Sequence, residues 1–137
     1  MTKSMAYKQV RGIVIVAHTE RDPEDDEYAT YCDFCLALPK QVNRYFIVSA
    51  GGAPTPKQRA TTNATLKKRG QPESIVAVVT PKTIVRGIVT ALSWFNPKIM
   101  SFAPTELDAA MRYLGLTPTE AGEVGLELRK LQAELKH

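Results

Sequence analysis

The residues best spaced for chemistry lie in YFIVSAGGAPTPKQR, Tyr45 to Arg59. Gly51 and Gly52 can turn backbone amides toward an anion, a helix from Pro56 would add its positive end, and Lys57 and Arg59 would add charge. The wording is neither G-x-x-x-x-G-K-[ST] nor G-x-G-x-x-G, so both standard nucleotide fingerprints are missing. Pro54 and Pro56 remove two amides that such a nest would use, and a plain turn accounts for the same residues. Ser49 stands at a strand end, where a phosphoryl group would meet the next helix start and change the local charge by about two units. A buried serine packed beside a glycine loop is the alternative. Thr55 is a second, displaced candidate switch. VSAGG does not match the G-x-S-x-G elbow, so no serine nucleophile is expected.

His18 follows the first strong strand and is close in the chain to Glu20, Asp22, Asp25 and Asp26. The group suggests a general base or a metal pocket, yet helix capping and dipole compensation already explain the acids. His137 is the only other histidine, so neither a metal site nor a cofactor is expected. Cys32 and Cys35 have C-x-x-C spacing, but they fall inside a predicted helix among acids, which raise a thiol pKa. They read as reduced core thiols.

These residues are positioned by a regular alternation. QVRGIVIVAH has a β-branched run with no helical period and reads as a central strand, with Tyr7 to Val10 either extending it or forming a short strand before a turn at Arg11-Gly12. A helix follows, with Asp22 as cap, Pro23 at its first position and Asp25 closing a capping box, running to about Leu38. RYFIVSA is the second strand, and Pro56 to Gly70 a helix with few large apolar groups, Ala60, Ala64 and Leu66, and hence little anchoring. SIVAVVT is the third strand, and Thr80-Pro81 opens a helix whose apolar residues cover more than one face, with Gly87 admitting a close neighbour. KIMSFA is the fourth strand. A helix from Thr105 ends at Gly115, and a last one is capped by Thr117 and carries the stripe Val124, Leu128, Leu131, Leu135.

The pattern predicts an α/β fold: a four- or five-stranded, mostly parallel sheet with flanking helices. Residues 1–116 form one domain, and 117–137 an amphipathic helix lying on that domain or on a partner subunit. Ligands of such sheets sit outside the C-terminal strand ends, here near His18, Ser49, Thr80 and Ala103. At 137 residues, 44% hydrophobic and 23% charged, the chain fits one globular domain. Residues 36–112 hold eleven Lys/Arg against three Asp/Glu, a local net charge of +8 within a chain of +4. Lys67, Lys68 and Arg69 concentrate that charge, and Trp94 and Phe95 supply aromatics that either close the core or anchor a partner. Helix-turn-helix wording, zinc-finger spacing and aromatic-basic interleaving are absent, so nucleic acid is not expected. Neither a signal peptide nor a membrane span is expected, and the expected location is cytoplasmic.

Across RGIVIVAH, YFIVSAGG, SIVAVVT and VRGIVTALSWFNPKIMSFAPTELDAAMRYLG, residues 7 to 116, the layout resembles the SpoIIAA-like/STAS-type small α/β domains, and more narrowly their stand-alone bacterial versions. That resemblance implies a partner-docking role governed by a phosphorylatable Ser or Thr in a D-[ST]-[ST]-G segment. Here the corresponding Ser49-Ala50-Gly51-Gly52 lacks the Asp and the paired hydroxyl. The function expected is a non-enzymatic regulatory or scaffold module acting through protein contacts on the positive helix and the aromatic end, with homo-oligomerisation through an apolar helix. The alternative is binding of a small anionic ligand, or chemistry on it, by His18, Ser49, Lys57 and Arg59. A tight apolar pocket on which these groups converge would favour the alternative.

Overall fold

The computed structural model describes residues 3–70, 74–92 and 98–136. Its strands are β1 (Met5–Val10), β2 (Ile13–His18), β3 (Arg44–Ser49), β4 (Ile75–Val79) and β5 (Ile99–Phe102). Its helices are α1 (Asp25–Leu36), α2 (Pro56–Arg69), α3 (Thr83–Leu92), α4 (Leu107–Tyr113) and α5 (Pro118–Glu134), with a 3₁₀ turn at Pro104–Glu106 before α4. The strands form one sheet in the order β1-β2-β3-β4-β5. β1 and β2 are an antiparallel hairpin turning at Arg11, whose φ is 55°, while β2 through β5 run parallel. The strand ends at His18, Ser49, Val79 and Phe102 therefore share one rim.

Because the parallel strands are laid down in sequence order, each right-handed crossover returns on the same side, and α1, α2 and α3 gather on one face. β2 is buried at every position. Its residues alternate between two cores, as a strand period of two requires. Ile13, Ile15 and Ala17 join Ala110 of α4 and Val124, Leu128 and Leu131 of α5. Val14 and Val16 join Tyr28, Tyr31, Cys32 and Cys35 of α1. The α5 stripe thus lies on the sheet of its own chain, each fully buried member contributing about 1.5–3 kcal/mol.

An order that never reverses creates no switch-point crevice at the strand tips. Open space instead lies between the sheet face and the helices above it.

Several local expectations are corrected. Asp22 does not cap α1: the helix begins at Asp25, Glu24 occupies the cap position without a side-chain bond, and the Asp22 carboxylate accepts from Ala53 N at 3.0 Å. Pro23 and Asp25 consequently play no part in a capping box there. α3 starts at Thr83 rather than at Pro81, since buried Thr80 uses its Oγ1 to accept from Lys82 N in a short turn. Gly87 faces open space among the described residues rather than a close neighbour. The helix expected from Thr105 opens as the 3₁₀ turn, with the Glu106 carboxylate, not Asp108, accepting from Ala103 N at 2.7 Å.

Candidate functional site

The glycine loop is stitched to the loop after β2. Gly51 N donates to Ser49 Oγ at 2.9 Å, Gly52 N to Thr19 O at 2.8 Å and Ala50 N to His18 O at 3.0 Å. Ser49 Oγ itself donates to Gly52 O at 2.5 Å, and the residue is 5% exposed. The amides expected to cradle an anion are thus used inside the fold, and the Ser49 hydroxyl is filled as donor and acceptor. Both glycines have conformational reasons to be there: Gly51 holds φ 145°, and at Gly52 a Cβ would lie 2.0 Å from Arg21 O. Thr55 caps α2, its hydroxyl accepting from Gln58 N at 3.2 Å while Gln58 Oε1 accepts from Thr55 N at 3.0 Å. The T-P-K-Q spacing carried that capping-box signal in the sequence.

Beneath this rim lies a cavity of about 180 Å³ between β2–β4 and helices α1, α2 and α3. Its floor includes Val16, Ile47, Val76 and Val78, and Val85, Ile88 and Val89 of α3 close one side. Tyr28, Tyr31 and Tyr45 supply an aromatic wall, beside Cys32 and Cys35. Four of the candidate switch and anion-binding residues line it: His18, Ser49, Gly52 and Arg59. Gly51 and Lys57 do not, and the exposed Lys57 ammonium pairs at 3.8 Å with Asp25.

The cavity's polar groups differ in availability. His18 is 6% exposed, and its Nδ1 is buried without a hydrogen-bond partner. Burial lowers its pKa to about 4, outweighing Glu27 and Asp22, which favour the charged form, so the imidazole is neutral at pH 7. Arg59 donates through Nη1 to Pro54 O at 3.0 Å, and no carboxylate among the described residues lies within ion-pair distance of it. Burial pushes the Cys35 thiol up to about 11 and the Tyr28 and Tyr45 phenols up to about 12. Both free cysteines are buried, and neither is a thiolate at neutral pH. Among the described residues no cluster of His, Cys, Asp and Glu has the makings of a metal site.

α2, the wall expected to be weakly anchored, is held by polar ties. Buried Gln58 donates through Nε2 to Pro23 O at 2.9 Å and Asp25 Oδ1 at 3.0 Å, and the Tyr28 and Thr62 hydroxyls are hydrogen-bonded. Arg69 departs from its expected place on a charged interface. It is 7% exposed, and its guanidinium donates to Tyr45 Oη at 2.9 Å, Pro39 O at 2.8 Å and Val42 O at 3.1 Å. Only Lys67 and Lys68 of that triplet remain exposed. Trp94 and Phe95 lie outside the described residues. Arg69→Met should therefore lower stability by about 2 kcal/mol, because it strands buried acceptors, whereas Lys68→Met should change it by less than about 0.5 kcal/mol. Urea unfolding of the two variants checks this, and equal stabilities would contradict the inward placement.

No protein-family model, curated protein or solved structure matches the chain. No helix among the described residues is long and apolar enough to cross a membrane.

Proposed function

We propose that this protein is a small-molecule-binding module whose ligand occupies the cavity between the sheet and helices α1–α3. The observation that carries this reading is a mainly apolar space of about 180 Å³ among the described residues, with a neutral histidine whose Nδ1 is unpartnered in its wall. A concave, mainly apolar space with a few polar groups in its wall is the usual form of a small-molecule site. A cavity of about 150 Å³ lined by aliphatic and aromatic groups admits benzene, which sets the scale of the occupant. Binding is favoured over chemistry because the thiols and phenols are held protonated and the Ser49 hydroxyl is already bonded twice. Of the two functions expected from the sequence, this is nearer the second, sharing its residues His18, Ser49 and Arg59 but not Lys57.

The protein-contact reading keeps one observation in its favour: Ile84 of α3 is 80% exposed on a helix that also lines the cavity. In that reading a ligand below would alter the surface offered above, a behaviour compatible with the regulatory role implied by the resemblance to SpoIIAA-like/STAS domains.

Toluene tests the site with no assumption about a polar head. It should raise the melting temperature and shift the amide resonances of Val76 and Val78. Val76→Phe, which fills the floor, should abolish both effects while the variant stays folded. Unmoved resonances at saturating toluene would remove the site.

A further inference from the structure

We infer that the cavity's ligand is a small aromatic carboxylic acid, its ring lying against Tyr28, Tyr31 and Tyr45 and its carboxylate meeting Arg59 and His18. This rests on the binding reading above and adds the chemical class. Three of the residues in the wall are tyrosines, whose rings favour edge or offset contact with another aromatic ring. The volume suits a single ring with a short substituent.

The head group follows from charge. Arg59 lines the cavity from α2 and spends Nη1 on Pro54 O, leaving guanidinium N–H groups without a carboxylate partner among the described residues. His18 lines it from the end of β2, with Nδ1 unpartnered. Both are tied to the glycine loop at the rim: Ala50 N, which opens that loop, bonds to His18 O, and Arg59 bonds to Pro54 O further along it. A carboxylate has acceptors for both, taking a charge-assisted bond from the guanidinium and one from the N–H of the neutral imidazole. A phosphate dianion is a poorer fit, since its shell of acceptors would face aliphatic walls with few donors.

Four probes decide this at pH 7 by calorimetric or NMR titration: benzoate, benzyl alcohol of nearly the same shape, toluene and inorganic phosphate. Benzoate should bind about 10- to 100-fold more tightly than benzyl alcohol, the range of one charge-assisted hydrogen bond. Arg59→Met should erase that preference and leave benzyl alcohol within about twofold of its original affinity. The His18 ring ¹⁵N resonances should move with benzoate and stay in place with toluene. Equal affinity for benzoate and benzyl alcohol in the unaltered protein overturns the carboxylate assignment while leaving the cavity site standing. Phosphate binding as tightly as benzoate overturns it too, and a His18 ring unmoved by benzoate removes that residue from the site. Failure of all four probes, toluene included, overturns the inference and the binding site together.

Discussion

Gly52→Ala is expected to lower stability by about 3–5 kcal/mol, measured by urea or thermal unfolding. The added Cβ would stand 2.0 Å from Arg21 O, 2.7 Å from Arg21 C and 2.8 Å from Thr19 O. All three are backbone atoms, so no flexible side chain can swing aside, and one loop must retreat from the other. Retreat breaks the Gly52 N to Thr19 O bond and disturbs the neighbouring Ala53 N to Asp22 and Ser49 Oγ to Gly52 O bonds. These ties form the rim directly above His18, so the same substitution should also loosen the cavity's polar end. A variant within about 1 kcal/mol of the original protein would mean that the two loops do not touch.

The same loop shows how far a linear reading reaches. The strands were legible because a β-branched run without helical period, as in Ile13 to Val16, suits a strand buried on both faces. The capped start of α5 was legible because a capping box joins residues three apart, Thr117 and Glu120. Asp22 misled for a related reason: it stood beside a helix start, but its partner is 31 residues away, at Ala53. Nor does KKR disclose which of its cations turns inward. Arg69 is selected by helical phase and by the distant acceptors Pro39, Val42 and Tyr45.

A cavity has no motif, because it is made by side chains that fail to reach one another. Its trace in the sequence was the lack of large apolar groups on the α2 face turned to the sheet, where Thr62, Thr65 and Leu66 line the space while Ala60 and Ala64 are exposed. A helix without large groups needs polar ties to stay in place, and it leaves room beneath it. Sequence reading recognised how few large apolar groups α2 carries, and missed both the polar ties that hold it and the volume beneath it. It also named four of the lining residues as site candidates, His18, Ser49, Gly52 and Arg59, since all cluster where parallel strands end and the next helices begin.

Between pH 7 and pH 4 the protein is expected to lose about 3 kcal/mol of stability through His18 alone. Its folded pKa is about 4 against an ordinary 6.5, and each pH unit of separation is worth about 1.4 kcal/mol. The sign follows from proton counting: over that interval the unfolded chain binds a proton that the folded chain refuses, so stability falls as pH falls. Above pH 6.5 the contribution is complete, and it is gone near pH 4. Glu27 acts in the same direction but lower in the pH range. Its carboxylate accepts from Ser4 N at 2.8 Å and from Met5 N at 3.4 Å, and these bonds with that from the Ser4 hydroxyl hold its pKa below the usual 4.5 despite partial burial. The two contributions separate by substitution, since His18→Gln removes the first and leaves the second. Urea unfolding at half-unit steps should give a curve for the original protein that drops away from the variant's between pH 6.5 and 4, then runs parallel to it as the carboxylates titrate. Parallel curves throughout would show that the imidazole is free to charge in the folded state, and that burial does not hold its pKa down.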